Sequence, residues 1–138
     1  MKERKESYLR KILSIQENIK SVKEWTAETN LEEFLGDKKT RFAVFKAFQE
    51  VVETCMDLAA MLIKDRGIPP EDDYTNLEKL REEKVISEKM RDILSEANGL
   101  RNWVIHRYNK LNDSEAYNEI LKLIGPVEEF VGVVKKWI

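Results

Sequence analysis

The stretch Phe45-Lys46-Ala47-Phe48-Gln49-Glu50-Val51-Val52-Glu53-Thr54-Cys55-Met56-Asp57-Leu58-Ala59-Ala60-Met61-Leu62-Ile63 decides the fold. Phe45, Phe48, Val52, Cys55, Ala59 and Leu62 recur by threes and fours on one face, the period of an amphipathic helix. Val51, Met56, Leu58 and Ile63 broaden that face, which predicts a central helix packed on several sides. Upstream, Asp37 is the expected N-cap, and Leu31–Leu35 reads as a short turn stopped by Gly36. Downstream, Gly67 followed by Pro69 and Pro70 is a stop signal, and residues 66–75 form the only loop of any length.

The rest of the chain repeats the helical pattern. Tyr8, Ile12, Ile15, Ile19 and Val22 form an apolar stripe on a first helix, widened by Leu9, Leu13 and Trp25. A shorter helix spans about Asn76–Glu83. Ser87 reads as the N-cap of the next, whose stripe is Met90, Ile93, Leu94, Ala97, Leu100 and Val104. After a break near Asn109–Asp113, Asp113 is the expected cap of a last helix. That helix turns Tyr117, Ile120, Leu121, Ile124, Val127, Phe130, Val131 and Val134 inward, with a kink expected at Pro126. No strand alternation or internal repeat appears. The expectation is one all-α domain over residues 1–138, an up-and-down bundle of four long helices plus a short one.

Composition narrows the functional classes. The 138 residues include 24 Lys+Arg against 26 Asp+Glu, a formal net charge of -2. This is not the footprint of a protein that coats long nucleic acids, although a local phosphate site remains compatible with it. One cysteine and one histidine exclude an intrachain disulfide framework and a cysteine-based zinc site, so neither metal nor cofactor is expected. No run approaches the roughly 18 apolar residues of a membrane span, and no signal-peptide block opens the chain. A cytoplasmic protein is the simplest expectation.

The pattern breaks at one place. Around the Ser87 helix, at about 100° per residue, Arg101 and Tyr108 fall within the apolar stripe that also carries Ile105. Asn102 and His106, four residues apart, share one edge of it, while Trp103 and Arg107 point elsewhere. An arginine among apolar neighbours is costly unless a charge or an interface receives it. Two readings stand: a salt bridge to Glu53 or Asp57 of the central helix, or a functional group. Trp103 is open to stacking a base or to burial. The basic clusters Lys38-Lys39 with Arg41, and Lys135-Lys136 with Trp137, suit either RNA backbone or plain solvated surface.

Arg101-Asn102-Trp103-Val104-Ile105-His106-Arg107-Tyr108 resembles the Arg-x4-His-x-Tyr signature of the HEPN superfamily, specifically the HepT-like toxins paired with MNT-type nucleotidyltransferase antitoxins. Arg41-Phe42-Ala43, the Pro69-Pro70 loop and Leu100-Arg101-Asn102 follow in the order of that family, from about Lys39 onward. Arg107 departs from it, since relatives often carry glycine there. The resemblance implies an HEPN-like bundle and metal-independent cleavage of RNA by attack of a ribose 2′-hydroxyl.

The residue types suit that chemistry. A guanidinium matches phosphate oxygens and keeps its charge, so Arg101 would hold the phosphate. Imidazole titrates near neutrality, so His106 would move the proton. Asn102 would orient His106 or the substrate. Tyr108 reads either as an ordinary packed tyrosine or, as the resemblance implies, as the residue that the antitoxin modifies with AMP. With one histidine per chain, an acid and a base on opposite sides of phosphorus require two chains, and the resemblance likewise implies a homodimer. The implied partners are thus a second copy, an RNA such as a tRNA end, and a nucleotidyltransferase. The rival class is a non-catalytic helical subunit that docks a nucleotidyltransferase and helps bind a nucleotide.

Overall fold

The computed structural model describes residues 2–106 and 112–138. Tyr108, Arg107 and most of the expected Asn109–Asp113 break lie outside the described residues. Among those described, the elements are α1 (Lys2–Ala27), α2 (Leu31–Gly36), α3 (Lys38–Asp65), α4 (Asp73–Glu82), α5 (Glu88–His106) and α6 (Asp113–Lys136). No helix among them is long and apolar enough to cross a membrane. The all-α bundle of four long helices is as expected, and α4 is the short helix. The Leu31–Leu35 turn is a helix in its own right, closed by a capping box in which Asn30 accepts the Glu33 amide and Glu33 reaches back to the Asn30 amide.

Helix α3 packs against each of the other five helices. The cause is in its sequence: twelve of its residues are buried, including every apolar position of the Phe45–Leu62 repeat. Asp37 caps it by accepting the Thr40 amide at 3.2 Å. At its far end Gly67 takes φ +79°, a left-handed conformation open to glycine, while the Ile68 amide reaches back to the Ile63 carbonyl at 3.2 Å. The single thiol, Cys55, lies wholly inside α3's buried face, and desolvation pushes its pKa up to about 12.

Several boundaries differ from the sequence expectation. Helix α4 starts at Asp73, three residues early, because Asp72 caps it on the Thr75 amide at 3.0 Å. The Asp113 cap is corrected to Asn112, which accepts the Glu115 amide at 2.9 Å and leaves Asp113 in the first turn. Asparagine and aspartate cap about equally well, so the sequence alone did not separate adjacent candidates. Ser87 caps α5 as expected, accepting the Met90 amide at 3.0 Å. Helix α6 continues through Pro126. Leu9, Leu13 and Trp25 are exposed rather than part of α1's buried stripe, which is Tyr8, Ile12, Ile15, Ile19 and Val22 alone. On α6, Leu121 is exposed and Leu123 takes the inward position.

Two polar joints tie neighbouring helices, one between α4 and α5 and one between α3 and α6. Glu78 of α4 accepts from Arg81 on its own helix and from Arg91 of α5 at 2.5 Å; these two guanidinium groups hold its carboxyl down to about 2. Near the other end, Arg41 of α3 faces Asp113 of α6 at 3.6 Å. Phe34 of α2 is fully buried, edge-on to Phe45 (centroids 5.6 Å) and tilted on Tyr117 (4.4 Å). Replacing Phe34 with alanine is expected to cost about 3–5 kcal/mol, read as a lower denaturation midpoint at unchanged slope. A loss below about 1 kcal/mol would show that α2 does not pin α3 to α6.

Candidate active site

The C-terminal turns of α5 carry Arg101, Asn102 and His106. Helix α5 runs antiparallel to α3, so Arg101 lies opposite Glu53 and Val104 lies opposite Phe45 and Gln49. Leu94, Ala97, Leu100 and Val104 are buried and seat the helix. What remains on its outer side is polar or open: His106 and Ile105 are exposed, while Arg101 and Asn102 are half-buried. Ile105 therefore leaves the expected stripe. Trp103 enters it, being only 5 % exposed, which removes the base-stacking reading for that ring. The wheel misplaced both because the helix is covered on more than one side.

Arg101 has a specific set of neighbours. Its Nε faces Glu53 Oε1 at 3.7 Å, an ion pair too long for a hydrogen bond, with 19 % of the arginine side chain exposed. Its Nη1 donates to Asn102 Oδ1 at 2.6 Å. Gln49 Nε2 donates to the same Glu53 oxygen at 3.0 Å, so the carboxylate is shared. Of the two candidate counter-charges, Glu53 is the one engaged. Asp57 turns the other way and pairs with Lys11 of α1 at 3.3 Å. Asn102, expected to orient His106 or the substrate, lies beside the guanidinium, its Oδ1 accepting that Arg101 hydrogen bond. The salt-bridge reading of Arg101 therefore holds: the guanidinium is balanced by the partly exposed Glu53 carboxylate.

A shallow groove of about 460 Å³ continues from this point between the N-terminal half of α3 and α5, lined by Phe42, Phe45, Lys46, Gln49 and Val104. Phe42 is half exposed along it, with Lys38 Nζ lying 5.3 Å from its ring centroid. Of the basic clusters, Lys38 and Lys39 stay exposed near the groove, whereas Arg41 is committed to Asp113. The Lys135–Trp137 cluster lies at the opposite end of the bundle, where Trp137 stacks under the Arg66 guanidinium at 4.8 Å. Among the described residues, no group of three histidine, cysteine, aspartate or glutamate side chains converges at metal-ligand spacing.

One polar residue of this region escaped the sequence reading. Asn98 of α5 is 1 % exposed, and its Oδ1 has no hydrogen-bond partner among the described residues. It lies one turn before Arg101 and Asn102, and an asparagine at that spacing ahead of an arginine in the same stripe was a signal available in the sequence.

Comparison with known proteins places the family and the fold. Residues 15–134 match the sequence family described as ribonuclease HepT-like. A candidate RNase of Archaeoglobus fulgidus is 37 % identical over 135 residues, covering 98 % of this chain and 90 % of that protein. The mRNA nuclease HepT of Shewanella oneidensis is 23 % identical over 128 residues, covering 92 % of this chain and 95 % of that protein. Among solved structures, the tri-AMPylated Shewanella oneidensis HEPN toxin in complex with an MNT antitoxin superposes with a TM-score of 0.85 at 23 % identity, over 94 % of this chain and 96 % of that one. A toxin–antitoxin structure with AMP-PNP gives 0.84 at 22 % identity, over 92 % and 96 %. The fold is that of the HEPN toxins, and the chain belongs to the ribonuclease HepT-like family.

Proposed function

We propose that this protein is the toxin of a toxin–antitoxin pair, a metal-independent endoribonuclease silenced by a nucleotidyltransferase that adds AMP to Tyr108. The observation that carries the reading is the Arg101 guanidinium, half-buried beside one shared carboxylate, with exposed His106 one turn further along the same helix. Guanidinium and imidazole on neighbouring turns are the two groups a phosphodiester cleavage needs from the protein. The ribose 2′-hydroxyl attacks phosphorus, the bond to the leaving 5′-oxygen breaks, and a cyclic phosphate and a 5′-hydroxyl result. Arg101 would bind the nonbridging oxygens and stabilise their developing charge. His106 would take the 2′-hydroxyl proton or deliver one to the 5′-oxygen.

Both proton transfers at once require two imidazoles, and the chain has one histidine. A two-fold dimer that faces two copies of α5 across a shared cleft supplies the second. The exposure of Ile105 beside His106 suits such an interface. Near-zero net charge implies few phosphate contacts, hence a shallow salt dependence and a short or structured RNA such as a tRNA end. AMP on Tyr108, two residues beyond His106, would bring negative charge and bulk to the position the RNA phosphate needs.

Three results are expected. Purified protein cuts RNA in the presence of chelator, and Arg101→Ala and His106→Ala each lower the rate by at least about 10²-fold. If both variants match the parent and neither cuts, the protein is the non-catalytic docking subunit. Co-expression with the neighbouring nucleotidyltransferase adds AMP mass to the peptide holding Tyr108, and Tyr108→Phe abolishes that mass. Glu53→Gln removes the charge competing for Arg101, so the KM for RNA falls severalfold while the melting temperature barely moves, as fits a partly exposed pair. A fall in kcat at constant KM would instead assign Glu53 to holding Arg101 in place.

A further inference from the structure

Two buried side-chain atoms among the described residues have no hydrogen-bond partner: Oδ1 of Asn98 and Nε of Arg101. One is an acceptor and the other a donor. They belong to residues three apart on α5, whose Cβ atoms lie about 5–6 Å from each other on a helix surface. Helical side chains lean toward the N-terminus, so the stem of Arg101 lies back over the turn that carries Asn98. A buried donor or acceptor without a partner forfeits the hydrogen bond it made to water, and two complementary ones three residues apart on one helix call for an explanation.

We infer that Asn98 is a positioning residue for Arg101, its amide oxygen receiving the Arg101 Nε–H when a phosphate occupies the site. The inference rests on the proposed role of Arg101. With the site free of phosphate, Nε points at Glu53 from 3.7 Å and Nη1 is tied to Asn102. An incoming phosphate competes with Glu53 for the guanidinium and draws it off the carboxylate. Nε–H then needs a new acceptor, and Asn98 Oδ1, one turn back along α5, is a buried acceptor without a partner among the described residues. Held from behind, the planar fork presents its two Nη groups to the phosphate in a fixed plane, which a guanidinium free to swing about its stem does not.

The full-length protein in a His106→Ala background, which binds RNA without cutting it, tests this by fluorescence anisotropy with a short mixed-sequence RNA oligomer. Asn98→Leu keeps the side chain's shape and removes the acceptor. It is expected to weaken RNA binding about tenfold while leaving the melting temperature equal to or above the parent's, because an unsatisfied buried amide has been replaced by an apolar group. In an Arg101→Lys background, where no Nε–H exists, Asn98→Leu changes affinity no further. Equal losses in both backgrounds, or a weakened binder that also melts earlier, would each overturn the inference and leave Asn98 a packing residue. Should Asn98→Leu fail to fold, Asn98→Ala runs the same cycle. If Arg101→Lys itself binds RNA as well as the parent, it is the phosphate-holding role of Arg101 that fails, a result distinct from the others.

Discussion

A single positive charge held at the boundary between core and water organises this molecule's working face. Arg101 sits on a helix whose neighbouring positions, Leu94, Ala97, Leu100 and Val104, are buried, so its guanidinium cannot withdraw into solvent without dragging apolar surface with it. It cannot sink into the core either, because a desolvated charge is penalised by several kcal/mol. Glu53 resolves the conflict at 3.7 Å. That distance is close enough to balance the charge and too long to commit its hydrogens. An ion pair of this kind contributes little to stability.

The polar stripe of α3 is the other half of this arrangement. Helix α3 is buried along most of its length because five helices lean on it, yet Glu50, Glu53 and Asp57 keep one side hydrophilic. Glu53 serves α5, Asp57 serves α1 through Lys11, and Asn18 of α1 donates to Glu50 at 3.4 Å. The seam therefore carries acid on α3 and base or amide on its neighbours, an order that fixes which helices lie to each side of it without adding much to stability.

Most of the bundle was legible in the sequence because period and caps are local properties. The five buried residues of α1 and the Asp37 and Ser87 caps follow from spacing and side-chain chemistry alone. The misplacements have a common cause. Leu9, Leu13, Leu121 and Ile105 are apolar residues at the margins of a stripe, and whether a margin is covered depends on how many helices pack there. Trp103 shows the converse, being drawn inside by neighbours that a wheel of one helix does not contain. At the candidate site, Arg101, Asn102 and His106 were readable from residue type and motif. The choice of Glu53 over Asp57 depended on how α3 and α5 are rotated about their axes, which no single helix records.

The interior position of Cys55 has a practical side. Its sulfur is sealed within the central helix and kept protonated far above neutral pH. Alkylating reagents and mild oxidants, which act on thiolates, have no target on the native fold. A cysteine engineered onto the outer surface would therefore be the one reactive sulfur in solution. A dye or spin label could be attached there without first mutating the natural residue and disturbing the packing around it.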